Sequence, residues 1–241
     1  MTHTMQFERT IQLIGEEPFR QLQAARVLLV GVGGVGGWCA EALVRTGIGH
    51  LTLIDMDTVA ESNLNRQLVA TRSNIGRNKV EEMRSRLLCI CPEADIQAIA
   101  AKYDTDGMLD DGTARTPIDL TRFDYIVDAI DTPDCKMRLI HDATHAADTD
   151  EHFPILFSSM GAGRKTDTAP IRVTEFWKVE GCPLARALRT KMRKSGLLPG
   201  RKFLCVSSPE ISGTSGTVAP VVGIFGFTLA NLVIRAITGL D

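Results

Sequence analysis

Apolar and polar positions along the chain change period several times, and each change marks an element. Val27 to Val30 is an unbroken apolar run and Leu51 to Ile54 a second one, and both read as buried strands. Between them, Trp38 to Thr46 carries helical spacing, with Ala42 and Leu43 one turn beyond Trp38 and Cys39. Upstream, residues 6–24 read as two short helical pieces broken near Gly15. Phe7, Ile11 and Ile14 line one face, Phe19 and Leu22 another. Downstream, Lys79 to Ile90 is helical through Val80, Met83, Leu87 and Leu88, and Pro92 stops it. Strands are predicted over Ile96–Ala100, Phe123–Ile130, Pro154–Ser159 and, by alternation, around Ile171–Thr174. A helix is predicted over 133–147, with Thr132 placed to cap it and Pro133 at its first position. Residues 103–122 read as a short helix and a loop.

Buried strands alternating with helices predict an α/β fold: a Rossmann-like, doubly wound, mostly parallel sheet. It would carry a C-terminal extension and a long final apolar helix. No repeat or linker divides the chain, so 1–241 reads as a single domain. About 1–25 forms a helical arm, and about 160–241 a substrate-specificity extension. Ile211 to Ile234 holds no charge, long enough to raise a membrane-spanning helix. Gly213, Gly216, Pro220, Gly223 and Gly226 crowd its first half, which favours a shorter buried helix, at a subunit interface in one reading.

Chemistry gathers where strand passes to loop. Gly31, Gly33, Gly34, Gly36 and Gly37 separate the first strand from its helix, and the second strand ends on Asp55. Strand, glycine turn, helix, strand and acid form the nucleotide-binding fingerprint. Gly31 permits the tight turn, Gly33 lets backbone approach a phosphate, and Gly36 lets helix and strand pack closely. The helix N-terminus then offers N–H groups to an anion.

Directly after Asp55 comes a polar block holding Asn63, Asn65, Arg66, Gln67, Arg72, Arg77 and Lys79. A loop leaving that strand end lies on the ligand side of such a sheet. Its cations suit a triphosphate, although an exposed polar loop would look the same. Asp131, past the fourth strand, reads either as a Mg²⁺ holder against phosphates or as a helix-capping acid. Segment 183–202 carries Arg186, Arg189, Lys191, Arg193, Lys194, Arg201 and Lys202 and no acid, with Leu184, Leu188 and Met192 as an apolar stripe. It reads as a nucleic-acid phosphate surface or as a solvated basic helix.

Net charge of −2 excludes wholesale wrapping of nucleic acid but leaves room for such a patch. Six cysteines lack any C-x-x-C pair, so the four-thiolate zinc pattern is missing. Cys39, Cys89 and Cys91 are expected as reduced core residues. The first residues lack a signal-peptide apolar region. Both features point to a cytoplasmic protein.

GVGGVGG, LTLIDMDTV, SNLNRQ, GRNKVE and DAIDT, in that order, resemble the ubiquitin-activating-type adenylyltransferase superfamily. RTIQLIG, RTGIGHLTLIDMD, SSMGAGRKTDTAPIRVTE and CVSSPE are similar to its tRNA threonylcarbamoyladenosine dehydratase group. That resemblance implies ATP-dependent cyclisation of N6-threonylcarbamoyladenosine in a tRNA anticodon loop through a carboxyl-adenylate. It implies ATP and Mg²⁺, and no zinc. Gly31, Gly33, Gly34 and Gly36 would form the phosphate turn and Asp55 would bind the ribose, with Asp57 and Gln67 in the same site. Asn63, Arg66 and Lys79 would surround the triphosphate, and Asp131 would hold Mg²⁺. Arg9 would reach the ATP of a neighbouring subunit, which implies a homodimer. Arg186, Arg189, Lys191, Arg193 and Lys194 would contact tRNA. The stretch before the final helix, PEISGTSGTV, lacks the cysteine of some dehydratases that act with a cysteine-desulfurase relay. Three other readings share the nucleotide residues: an adenylyltransferase for a ubiquitin-like sulfur carrier, an NAD-binding redox protein, and a nucleotide-dependent scaffold without turnover.

Overall fold

The computed structural model describes residues 5–147, 153–211 and 213–240. Two helices, α1 (Glu8–Ile14) and α2 (Glu16–Ala24), precede the first strand. Gly15 breaks them apart with φ 91°, a left-handed conformation that favours glycine. Phe7 and Phe19 meet across the break, ring centroids 5.2 Å apart.

The main sheet contains seven strands. In chain order these are β1 (Arg26–Val30), β2 (His50–Ile54) and β3 (Asp95–Ile99), and then, after three short strands described below, β7 (Tyr125–Asp128), β8 (Ile155–Ser159), β9 (Arg172–Glu175) and β10 (Leu204–Ser207). Their spatial order is β3-β2-β1-β7-β8-β10-β9. All neighbours pair parallel except β9, which runs antiparallel to β10. The order reverses between β1 and β7, so the switch point falls directly after the glycine turn.

Alternation along β1 splits the core into two layers. Val27 and Leu29 pack with Leu22 and with residues of α3 (Gly36–Thr46), α4 (Lys79–Ile90) and α7 (Ala219–Thr238). Leu28 and Val30 pack on the other face with residues of α5 (Pro133–His145) and α6 (Pro183–Ser195). The expected Rossmann-like, doubly wound sheet is therefore present. The stretch from about 160 does not stand apart from it, because β10 and β9 complete the sheet and α7 covers it.

Three expectations are corrected. Residues 103–122 hold no short α-helix. β4 (Lys102–Tyr103), β5 (Met108–Asp110) and β6 (Arg115–Pro117) form a small antiparallel sheet, followed by a 3₁₀ turn at Leu120–Arg122. The Asp111 carboxylate accepts from the Thr113 and Ala114 N–H groups and closes the β5–β6 turn. Cys89 is exposed rather than buried, since α4 buries Val80, Met83 and Leu87 instead. The fourth strand shortens to Tyr125–Asp128, which leaves Asp131 in the following loop.

Among its described residues, the apolar run 211–234 is helical from Ala219 onward. Pro220 lies in the first turn and Gly239 ends the helix in the left-handed conformation. By length and composition alone α7 is long and apolar enough to cross a membrane. Val221, Val222, Phe225, Leu229, Ala230 and Val233 are nevertheless buried inside the fold. The close approach to α3 depends on Gly226: a Cβ there would lie 2.5 Å from the Val35 carbonyl oxygen and 2.8 Å from Trp38 Cβ. Gly226→Ala should therefore cost about 1–3 kcal/mol in urea unfolding, the usual range for an overpacked site. Gly213→Ala, where nothing lies within 4 Å, should stay within about 0.5 kcal/mol of the parent. Equal stability of the two variants would contradict the close packing at Gly226.

Candidate nucleotide site at the switch point

Gly31 follows β1 with φ 96°, and its N–H donates to the Ile54 carbonyl at 2.8 Å. A Cβ on Gly31 would lie 2.6 Å from the Ala129 carbonyl oxygen, so the turns after β1 and β7 touch backbone to backbone. A Cβ on Gly36 would lie 1.8 Å from the Gly31 carbonyl oxygen, which fixes how closely α3 packs on the turn. No side chain caps α3. Of the N–H groups in its first turn, that of Gly37 donates to the Gly33 carbonyl at 3.1 Å, and the helix start beside Gly33 and Gly34 still presents its positive end to an anion.

Above these turns lies a cavity of about 650 Å³, in the size range of small-molecule sites. Gly31, Gly33, Gly34, Asp55, Asp57, Asn63, Arg66, Gln67, Lys79 and Asp131 all line it. Gly36 sits just behind, in the first turn of α3.

Asp55 accepts from the Val32 N–H at 2.7 Å with one oxygen and from the Asp57 N–H at 2.8 Å with the other. Burial pushes its carboxyl above the ordinary range, against those two N–H groups and nearby Lys79. Spare lone pairs on an oriented carboxylate suit a pair of sugar hydroxyls.

The polar block folds through a 3₁₀ turn at Glu61–Asn63. Asn63 Oδ1 accepts from Ala60 N–H at 3.0 Å, so the group left for the cavity is its Nδ2. Arg66 is anchored by Nη1, which donates to the Ser62 carbonyl at 2.7 Å and to Asn65 Oδ1 at 2.9 Å. Trp38 Nε1 from α3 donates to the Arg66 carbonyl at 3.3 Å. Gln67 is 8% exposed, and its Oε1 is buried without a partner. Unpaired buried oxygens are rare, and this one is available to accept from a ligand donor. Lys79 opens α4 at 4% exposure, with Nζ 2.7 Å from Asp57 Oδ2. Asp57 is the exposed partner of that pair. Arg72 and Arg77 of the predicted cluster do not line the cavity. They are exposed and face Glu61 at 3.8 Å and Glu82 at 3.3 Å.

Asp131 is exposed at the cavity edge, where its carboxylate accepts from the Thr132 hydroxyl at 3.4 Å. Thr132 occupies the N-cap position of α5 but makes no capping bond, and Asp131 takes no helix N–H either. The capping alternative for Asp131 is thus not realised. Among the described residues no three His, Cys, Asp or Glu converge on a metal position. Mg²⁺ held jointly with substrate phosphates needs only one or two carboxylates, and Asp131 fits that demand.

The opposite rim is Ser159 to Gly163, after β8, together with Leu184, Thr217 and Val222. Buried Lys165 donates to the Glu210 carbonyl. The Glu210 carboxylate accepts from Thr166 and Asp167 N–H groups, both at 3.0 Å, and ties the segment after this rim to the segment after β10. Sequence reasoning misses Cys135, which lines the cavity. Its position in the first turn after the Asp131 loop is the available signal. Burial raises its thiol, with Lys102 opposing, so it is held as a neutral thiol.

Arg9 lies outside this cavity, exposed on α1, with Nη1 3.2 Å from Gln12 Oε1. On α6, the five predicted cations divide. Arg189 Nη1 donates to the carbonyls of Phe176, Trp177 and Val179. Lys191 pairs with Asp134 on α5. Arg193 lies 5.3 Å over the Trp177 ring, and Arg186 and Lys194 are exposed.

Sheet order, glycine turn and cation-lined cleft define a Rossmann-type nucleotide-binding protein. A model described as the ThiF family matches residues 7–241, and the chain belongs to that family. It is 36% identical over 195 residues to the tRNA threonylcarbamoyladenosine dehydratase of Bacillus subtilis, covering 81% of this chain and 72% of that protein. It is 37% identical over 187 residues to the Escherichia coli dehydratase, covering 78% of this chain and 65% of that one. The aligned stretch thus spans about two thirds of each relative's length. The crystal structure of the E. coli dehydratase in complex with AMP superposes with a TM-score of 0.83 at 32% identity, over 98% of this chain and 95% of that one.

Lys79 is nearly buried and lines the same cavity as the glycine turn. Lys79→Met should lower the rate of ATP cleavage by about 10²–10³, the usual loss for one transition-state donor. ATP affinity, read by calorimetry, should change much less. A variant with full turnover would remove Lys79 from the reaction.

Proposed function

We propose that this protein is an ATP-dependent tRNA threonylcarbamoyladenosine dehydratase. The observation that carries the reading is the cavity at the β1–β7 switch point. It gathers the phosphate turn, Asp55, Arg66, Lys79 and Asp131, in a chain similar throughout to enzymes of that name.

The threonyl carboxylate of the modified adenosine is a poor electrophile, because its charge repels nucleophiles and oxide leaves poorly. In the proposed first step it attacks the α-phosphorus of ATP, giving an acyl-adenylate and expelling pyrophosphate. Arg66 and Lys79 balance charge on the departing phosphates. Mg²⁺ held by Asp131 would neutralise phosphate charge. In the second step the ureido oxygen attacks the activated carbonyl, AMP leaves with the former carboxylate oxygen, and a ureido N–H proton is released. One water is lost overall. The second step is intramolecular, so proximity replaces an enzyme nucleophile. The cysteines agree: Cys135 is held neutral, and burial pushes Cys205 well up, against Lys136. A cysteine-desulfurase relay finds no residue suited to it at either place.

A single-stranded anticodon loop can splay the modified base into the cavity. Leu184 at the start of α6 lines that cavity, so α6 leads away from the rim. Arg186, Arg193 and Lys194 are the side chains assigned to tRNA phosphates, while Arg189 and Lys191 serve the fold. Arg9 is assigned to the ATP of a second copy of this chain, acting in the cytoplasm.

Two measurements test the reading. Incubation with ATP, Mg²⁺ and tRNA carrying the modification should release AMP and lower the nucleoside mass by one water. No AMP release under these conditions, with exchange of pyrophosphate on a small protein ending in Gly-Gly instead, would favour the carrier-protein reading. Neutralising Arg186, Arg193 and Lys194 together should weaken tRNA binding and flatten its log–log salt slope by about 0.7 for each phosphate no longer neutralised. The same change at Arg189 should instead lower thermal stability. An unchanged slope in the triple variant would take α6 out of tRNA binding.

A further inference from the structure

Directly beneath Asp131 lies an ion pair shielded from solvent. Lys136 and Asp128 are both 0% exposed, and Lys136 Nζ is 2.8 Å from Asp128 Oδ2. The same ammonium donates to the Ile130 carbonyl at 3.0 Å. Asp128 Oδ1 accepts from the Ile130 N–H at 3.1 Å, and Oδ2 accepts from the Ser158 hydroxyl at 2.7 Å. Both backbone groups of Ile130 are therefore gripped, one by each member of the pair. Ala129, Ile130, Asp131 and Thr132 all line the cavity, and the Ala129 carbonyl is what Gly31 packs against.

Burying two charges is unfavourable, and an apolar pair of similar volume often serves stability equally well. The arrangement makes sense as geometry rather than as stability. β7 ends at Asp128, and the Ala129 N–H still donates to the Val30 carbonyl of β1 at 2.8 Å, so the sheet holds the chain as far as Ala129 and not the residues from Ile130 onward. A loop carrying an exposed carboxylate needs support from behind if that carboxylate is to meet an ion at a fixed place. Groups behind a metal-holding residue commonly shift metal affinity by about 10–100-fold.

We propose that Lys136 is a positioning residue: with Asp128 and Ser158 it fixes the Ala129–Thr132 turn, so that Asp131 faces the phosphate turn at the distance a divalent cation on ATP requires. The inference rests on Asp131 being the metal-holding carboxylate in the site described above.

The test reads binding rather than turnover. ATP affinity is measured by calorimetry with Mg²⁺ and with EDTA, and the ratio of the two dissociation constants is the Mg²⁺ response. Asp131→Ala should abolish that response. If it does not, the assignment of Asp131 falls and the role of Lys136 with it. The paired variant Asp128→Asn/Lys136→Met removes both charges together, which avoids a lone buried ion. It should bind ATP in EDTA as the parent does while its Mg²⁺ response falls by at least about tenfold. Ser158→Ala removes one support and should give a smaller fall in the same direction. A folded paired variant with the parental Mg²⁺ response overturns the proposal while leaving Asp131 in place. Should the paired variant fail to fold, Ser158→Ala decides, and an unchanged response there overturns the proposal as well.

Discussion

The close approach of the Gly31 backbone to the Ala129 carbonyl, where no side chain fits, sets the rest of the site. β1 and β7 are adjacent parallel strands at the place where strand order reverses. Their following turns diverge to opposite faces, one into α3 and the other into α5. The crevice between them is a consequence of topology. Its depth is a consequence of glycine, because a Cβ at Gly31 or Gly36 would push the turn or the helix outward. With the turn seated this low, an uncapped helix start and the Asp131 loop face the same volume.

Charge in that volume is prearranged rather than loose. Lys79 is nearly buried yet paired with an exposed Asp57, so its ammonium is placed before any anion arrives. Holding a desolvated cation in position opposes folding but avoids reorganisation when negative charge develops on leaving phosphates. Arg66 follows the same logic. One guanidinium nitrogen is committed to local oxygens, and the remaining donors lie at a fixed orientation on the cavity wall. Asp55 ties Val32 to Asp57 and so couples the phosphate turn to the loop that delivers Lys79.

Much of this is legible in the chain itself. Strands buried on both faces announce themselves as apolar runs; the glycines and Asp55 follow strand ends directly, and Arg66, Lys79 and Asp131 lie in the segments that leave those ends on the ligand side. What the sequence conceals follows from two causes. Short strands such as Met108–Asp110 carry too few residues to show a period, and the Asp111 turn that joins them acts through a side chain. Charge runs are equally opaque. Arg189 and Lys191 belong to the same basic stretch as Arg186 and Lys194, yet the first binds three carbonyls and the second an aspartate of α5. Only the partner decides whether a cation is structural, and partners come from distant segments. Lys136 is the sharpest case, since a lone lysine in a helix gives no hint of complete burial.

The burial of Lys136 and the state of the cysteines bear on one chemical question, namely what the protein must supply to activate a carboxylate. A thioester route needs an accessible thiolate. Here Cys39 and Cys205 are wholly buried and pushed up by that burial, Cys135, though on the cavity wall, is raised too, and the exposed Cys89 does not line the cavity. Adenylation followed by attack from within the same substrate needs none of them. It needs a phosphate cradle, cations to follow the charge on pyrophosphate, and one well-held carboxylate for the ion that travels with ATP. The groups proposed for those roles line the cavity, and a fully buried ion pair grips the Ile130 backbone next to Asp131. On the proposed reading such a site would work through geometry and electrostatics and leave the bond-making nucleophile to the substrate.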